Sequence, residues 1–260
     1  MLEIVFNPFF RKKQGKIKDF SRAVPSEVED FVFIGGKLSA KLITQIQGSP
    51  QERYNTRMPH AIKAIIFDFG NVLLEWNLWR VYRRYLASEE AMQAFFREIN
   101  FTDWNAQFDQ GRSFQEGVAI LTKQFPHHAR LIHAYRDRWD DSIGGAIAGS
   151  VDILKRLKRR GYPLYGLSNW SAETFPRTRA KYDFFDLFDD MVVSGFVGVI
   201  KPNPAIYELA LKKVGRPASE CLFIDDSPAN INQAKRLGFA AIHFTTPERL
   251  EDELTQIGIL

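Results

Sequence analysis

The stretch AIKAIIFDFGNVLL, residues 61–74, decides the fold. Its first half, AIKAIIF (61–67), is a short apolar run that stops at an acid, Asp68, just before a turn containing Gly70. A run of this length bounded by a turn reads as a buried strand of a parallel sheet, apolar toward both faces.

Four similar runs lie downstream. YPLYGL (162–167) ends at Ser168, DMVVS covers 190–194, CLFI (221–224) ends at Asp225, and AAIHF covers 240–244. Helical segments separate them. In VDILKRLKRR the apolar residues Val151, Leu154 and Leu157 share one face and Gly161 closes the helix. Ser171 is a candidate cap for SAETFPRTRAKY. Asn203 and Pro204 form a cap and first turn for PAIYELALKKV, with Gly215 behind it. NINQAKRLG also ends in a glycine, Gly238. Strand and helix alternating in this way predict an α/β fold, a doubly wound parallel sheet with helices on both faces.

Residues 76–146 interrupt the rhythm. They are rich in aromatic and charged residues at helical spacing and hold no convincing strand. They are expected to form a helical cap inserted after the first strand, with Gly144, Gly145 and Gly149 as a flexible return. The catalytic core is then 58–75 together with 147–260. Residues 1–57 read as a weakly ordered N-terminal extension, with Met58 marking the start of the functional domain.

The chain of 260 residues is long enough for a sizeable core. Its net charge of +4 belongs to the extension, where ten Lys/Arg face six Asp/Glu; from residue 58 onward the two signs balance. The core thus carries no electrostatic footprint for nucleic acid. No apolar stretch approaches membrane-spanning length. MLEIVFNPFFRKK has the wrong order of charge for a secretory signal. The single cysteine, Cys221, sits in an apolar run. These features predict a cytoplasmic protein with neither nucleic-acid nor membrane partner.

Chemistry-bearing residues cluster just beyond the strand ends, where open α/β sheets bind ligands. Asp68 can act as a covalent nucleophile or simply hold a turn. Ser168 and Asn169 suit phosphate oxygens and are equally ordinary turn residues. Lys201, in VIKPNP before a helix, can pair with carboxylate and phosphate together or lie on the surface. Asp225 and Asp226 are adjacent acids that repel each other unless a cation is near, and Mg²⁺ takes carboxylate oxygens. KRLKRR (155–160) reads as the solvated face of its helix, and His127-His128 show no ligand spacing.

The order acid, hydroxyl, lysine, acid pair on successive elements resembles the haloacid dehalogenase (HAD) superfamily over about 200 residues from Met58. DFGNVLL resembles its first motif, LSN the second, the lysine of IKPNP the third and FIDDSPAN the fourth. FDFGNVL with KPNPAIY and DDSPANI is most similar to the α-D-glucose-1-phosphate phosphatase-like members and to epoxide hydrolase N-terminal phosphatase domains. The resemblance implies a Rossmann-like core with a cap and a Mg²⁺-dependent phosphatase acting on a small phosphorylated metabolite, a sugar phosphate foremost. It implies an aspartyl-phosphate on Asp68, metal ligands at Asp68, the Gly70 carbonyl, Asp226 and (through water) Asp225, and phosphoryl binding by Ser168, Asn169 and Lys201. It also implies support of that shell by Asn230.

One position departs from the pattern. Family phosphatases carry a second Asp two residues after the nucleophile as general acid and base, and here that position is Gly70. Such a loss costs about 10²–10⁴-fold in rate. Glu75 and Asn77 are candidate substitutes. A haloacid dehalogenase, or a weakly catalytic protein that binds phosphorylated ligands, are the alternative readings; the paired acids favour phosphate chemistry. Trp76, Trp79, Trp104 and Trp139 read mainly as core of the cap, with a sugar platform as the functional alternative.

Overall fold

The computed structural model describes residues 61–260, and the extension expected over 1–57 lies outside them. Strand β1 (Ala64–Phe67) is buried at all four positions. Its side chains alternate: Ile65 and Phe67 enter one hydrophobic core and Ala64 and Ile66 the other, as a strand sandwiched between two layers requires. After β1 the chain makes a short strand β2 (Leu74–Trp76), then a four-residue helix α1 (Trp79–Tyr82). Four longer helices follow: α2 (Glu89–Glu98), α3 (Phe101–Asp109), α4 (Phe114–Gln124) and α5 (Ala129–Asp137). The chain returns through β3 (Ile143–Ala146) into α6 (Ala148–Arg159) and β4 (Leu164–Ser168). The remaining elements are α7 (Phe175–Arg179), β5 (Asp190–Val193), α8 (Ser194–Val197), α9 (Pro204–Val214), β6 (Cys221–Asp225), α10 (Pro228–Arg236), β7 (Ala240–His243) and α11 (Pro247–Gln256).

Five strands form one sheet in the order β5-β4-β1-β6-β7, every pair parallel. Leu154 and Leu157 of α6 and Leu250 and Leu254 of α11 cover one face; Ile206, Tyr207 and Ala210 of α9 and Ile231 and Ala234 of α10 cover the other. The expected doubly wound sheet is therefore present. α9 starts as the sequence predicts. The Asn203 side chain accepts from the Ala205 N–H, Pro204 opens the first turn, and Gly215 takes a left-handed φ of 68° at the end. Among the described residues no helix is long and apolar enough to cross a membrane.

Three local expectations are corrected. Residues 76–146 do contain a strand: β3 pairs antiparallel with β2, Leu74 opposite Ala146 and Trp76 opposite Ile143. Two glycines hide it from any side-chain pattern. A Cβ at Gly144 would come within 2.0 Å of a Glu75 carboxylate oxygen, and Gly145 holds φ at 132°. Gly149 is no hinge but part of α6, where a Cβ would press on Pro247 of α11 at 2.7 Å. Ser171 does not cap a long helix. Its hydroxyl accepts from the Glu173 N–H at 3.2 Å, and α7 starts only at Phe175.

Between β2 and β3 the helices pack largely through aromatic rings. Phe96 stacks on Phe101 at 4.1 Å, and Phe108 on Phe114 at 4.3 Å. Trp104 is buried and its indole N–H reaches the Gly117 carbonyl at 3.1 Å, so it is core, as its sequence context suggests. His127 and His128, which show no ligand spacing in the sequence, both reach Glu98 on α2, at 2.9 and 2.8 Å, on the exposed surface.

Candidate active site

The sheet register by itself brings the principal residues together. Phe67 lies opposite Ile224 of β6 and Gly166 of β4. Continuing each pairing one residue further sets Asp68 beside Asp225, with Ser168 one residue beyond its own neighbour on β4. The Asp68 N–H donates to the Ile224 carbonyl at 2.9 Å, which holds the end of β1 against β6. The Phe69 N–H then donates to Asp68 Oδ1 at 2.7 Å, fixing the side chain at the turn.

Lys201 comes from the loop before α9 and is buried, contrary to the ordinary fate of lysine. Its Nζ lies 2.6 Å from Asp225 Oδ2 and 3.0 Å from Asp68 Oδ1, and it donates to the Leu167 carbonyl at 2.8 Å. Burial works to lower the lysine's pKa, but the Asp225 and Asp68 charges outweigh it and hold the amine above its usual range.

Asp225 is fully buried, and its carboxylate is heavily engaged. Besides Lys201 it accepts from the Ser227 N–H at 2.8 Å and from Asn230 Nδ2 at 3.0 and 3.1 Å. Asn230, expected to support this region, does so through Asp225. Asp226, next in sequence, lines the open cavity.

Carboxylate oxygens of Asp68, Asp225 and Asp226 all lie within 4.8 Å of one another. Three ionised carboxylates against one lysine leave a local charge of −2. The consequence is visible in Asp68, whose pKa is pushed up to about 7 by burial and by Asp225 and Asp226, with Lys201 and the Ser168 hydroxyl opposing. Asp226 is raised as well, by burial and by Asp225. An all-oxygen donor set with two negative charges in excess fits a hard divalent cation.

The Asn169 side chain, expected on the phosphoryl group, is committed elsewhere. Its Oδ1 accepts from the Lys201 N–H at 2.8 Å and its Nδ2 donates to the Lys201 carbonyl at 3.0 Å. It lines the cavity together with Ser168 while positioning the lysine.

The cavity above these groups has a volume of about 190 Å³. Aromatic rings wall it: Trp76, Phe108, Phe114, Tyr135, Trp139 and Trp170. Two tryptophans singled out in the sequence, Trp76 and Trp139, thus line the cavity. Glu75 and Asn77 do not. Glu75 is exposed and lies along Gly144, and Asn77 Oδ1 accepts from the Trp79 N–H at 2.9 Å. Sequence reasoning missed Asn105, Asp109 and Trp170, which also line the cavity. Nothing in their spacing marks them, because folding of the helical insert brings Asn105 and Asp109 to the sheet edge. Gly70 lines the same cavity, and a Cβ there would meet nothing within 4 Å.

Residues 62–238 match the haloacid dehalogenase-like hydrolase family. A sesquiterpene phosphatase of Aspergillus oryzae is 29% identical over 196 residues, covering 75% of this chain and 96% of the relative. A drimenol cyclase of Aspergillus calidoustus is 25% identical over 199 residues, covering 75% of this chain but only 36% of the relative. In structure, a HAD family enzyme of Bacteroides thetaiotaomicron, solved in complex with magnesium and inorganic phosphate, superposes with a TM-score of 0.56 at 20% identity, over 72% of this chain and 96% of that one.

Proposed function

This chain belongs to the haloacid dehalogenase-like hydrolases, and on that premise we propose that it is a magnesium-dependent phosphatase of small phosphorylated metabolites, working through an aspartyl-phosphate on Asp68. The observation that carries the reading is the convergence of Asp68, Asp225 and Asp226 within 4.8 Å around a buried lysine. Such a site serves phosphoryl transfer, which needs positioning and charge stabilisation more than elaborate covalent chemistry.

The roles divide as follows. Asp68 attacks phosphorus through its free oxygen while the turn N–H of Phe69 and the amine of Lys201 hold its Oδ1. Ser168 and the backbone of the Asn169 turn receive the phosphoryl oxygens, and Lys201 shares charge between nucleophile and phosphate. Asp68, Asp226 and the Gly70 carbonyl are the groups that would hold Mg²⁺. Bound there, the ion supplies charge that screens the carboxylate from the phosphate it attacks. Asp225 keeps Lys201 in register and reaches the ion only through water.

The aromatic walls favour a substrate with a nonpolar face. Sugar phosphates offer one through their ring C–H groups. An apolar ester such as an isoprenoid phosphate is the second reading, favoured by the six aromatic residues lining the cavity and by the sesquiterpene phosphatase relative.

The test is phosphate release across sugar, isoprenoid and aryl phosphates with Mg²⁺, with chelator, and with an Asp68→Asn control. Turnover that needs both Mg²⁺ and Asp68 is the expected result. Undiminished turnover in Asp68→Asn would remove the nucleophile. Tight binding of phosphate without release from any ester would make the chain a phosphate-binding module instead. Metal-independent halide release from 2-haloacids would select the dehalogenase reading.

A further inference from the structure

We propose that Asp109, at the end of helix α3 in the helical insert, is the general acid and base of the reaction, taking the part that Gly70 cannot play. The inference rests on the phosphatase reading above and adds to it a residue that none of the sequence motifs contains.

Geometry comes first. Asp109 lines the same cavity as Asp68, Gly70, Ser168 and Asp226. A Cβ at Gly70 would meet nothing within 4 Å, so that side of the cavity is open to a substrate that Asp109 faces from the insert. The placement is unfavourable for an ionised side chain. Asp109 is the last residue of α3, where the helix dipole disfavours negative charge. Among the described residues no lysine, arginine or histidine pairs with it. Its one side-chain bond is from Asn105 Nδ2 to Oδ2, at 3.1 Å, one turn earlier on the same helix. Asn105 is itself oriented, because its Oδ1 accepts from the Tyr135 hydroxyl of α5. The relay Tyr135–Asn105–Asp109 leaves Oδ1 of Asp109 without a hydrogen-bond partner among the described residues.

The charged surroundings suit the task. Asp68 and Asp226 face the cavity from the sheet edge, Lys201 lies behind them, and Tyr135 faces it from α5. Burial pushes the Asp109 carboxyl up to about 7, the Asp68 charge adds to this, and Lys201 opposes it. Tyr135 stays neutral, its pKa held far above the ordinary value by burial. A group poised near neutrality can both give and take a proton at working pH.

The step balances. Asp68 forms the acyl-phosphate bond as the P–O bond to the leaving group breaks, and the Asp109 proton passes to the departing oxygen, releasing the alcohol. Ionised Asp109 then takes a proton from water as that water attacks phosphorus. The acyl-phosphate bond breaks, Asp68 is freed as a carboxylate, inorganic phosphate leaves, and Asp109 is protonated again.

Two probes of similar shape separate this role from binding. 4-Nitrophenyl phosphate expels a stable anion, whereas 4-nitrobenzyl phosphate expels an alkoxide that needs a proton. In Asp109→Asn with Mg²⁺, kcat on the benzyl ester should fall about 10²–10⁴-fold. The phenyl ester should still give a burst of about one nitrophenolate per enzyme, followed by slow turnover, because only dephosphorylation then lacks its base. The fall in benzyl-ester kcat/KM above about pH 7 should vanish in the variant. Gly70→Asp in the Asp109→Asn background should recover at least about tenfold of the benzyl activity. Equal loss of the first step on both esters, a rise in KM alone, or unchanged rates would each overturn the proposal. A wild type that cleaves neither ester would bring down the phosphatase reading itself. Near-ultraviolet circular dichroism on each variant separates loss of chemistry from loss of fold.

Discussion

Asn169 and Lys201 exchange two hydrogen bonds, the lysine N–H donating to Oδ1 at 2.8 Å and Nδ2 returning to the lysine carbonyl at 3.0 Å. The amide thereby sets the backbone from which a buried amine reaches two carboxylates. Asn169→Ala should lower kcat by about 10–100-fold, as loss of an outer support does around metal sites. Urea denaturation should show roughly 1–3 kcal/mol less stability, from backbone groups left unpaired. A variant with unaltered kcat would deny Asn169 this task.

Removing the amine itself is more damaging to the fold. Lys201→Met strands the ionised Asp225, which is fully buried, and should cost roughly 3–5 kcal/mol. Asp225→Asn added to it removes the orphaned charge and should return part of that stability while activity stays absent. Chemical denaturation of the single and double variants checks the sign: a double variant less stable than the single would contradict the charge account.

Asp109 links stability to pH. Its pKa is about 7 in the fold against an ordinary 3.8, so the folded state holds the proton more tightly than the unfolded chain. The contribution is fully present below about pH 4 and is lost as pH rises through 7. Asp109→Asn escapes that loss. It should be more stable than wild type at pH 8, by up to about 4 kcal/mol and so roughly 8–16 °C, with the gap closing toward pH 4. Scanning calorimetry of the metal-free proteins measures it, and a gap that grows toward acid would refute the assignment.

Gly166 on β4 backs the turn that carries Asp68 and Phe69. A Cβ there would stand 2.2 Å from the Phe69 ring. Phe69 has nowhere to go, being held among Phe175, Phe185 and Phe188 at centroid distances of 5.9, 5.0 and 5.5 Å. Gly166→Ala should therefore destabilise by roughly 1–3 kcal/mol, and should lower kcat because Asp68 precedes the displaced residue. Thermal melts with paired kinetics test both parts.

The sequence exposes the sheet and its rim because parallel strands end where ligands bind, so each apolar run points at its own polar terminus. Asp68, Ser168 and Asp225 are legible for that reason. The division of labour between Asp225 and Asp226 is not: two adjacent acids look alike until one is seen clasped by Lys201, Asn230 and the Ser227 N–H. β3 escapes notice because its Gly-Gly centre carries no alternation to read. Asp109 escapes because an acid near a helix end, beside Gln110 and Gly111, has the look of an ordinary surface residue. Its place on the cavity is set by tertiary packing, in which Phe108 beside it stacks on Phe114.

Asp68 directly follows strand β1 of the sheet, while Asp109 belongs to the helices between β2 and β3. Grafting a relative's helices onto this sheet would therefore exchange the proton donor along with the pocket walls. A chimera built to change substrate preference would inherit whatever acid its new helices happened to carry. In this chain selectivity and proton supply are transplanted together, and an exchange of the helices alone cannot alter one while sparing the other unless Gly70 is replaced by an acid at the same time.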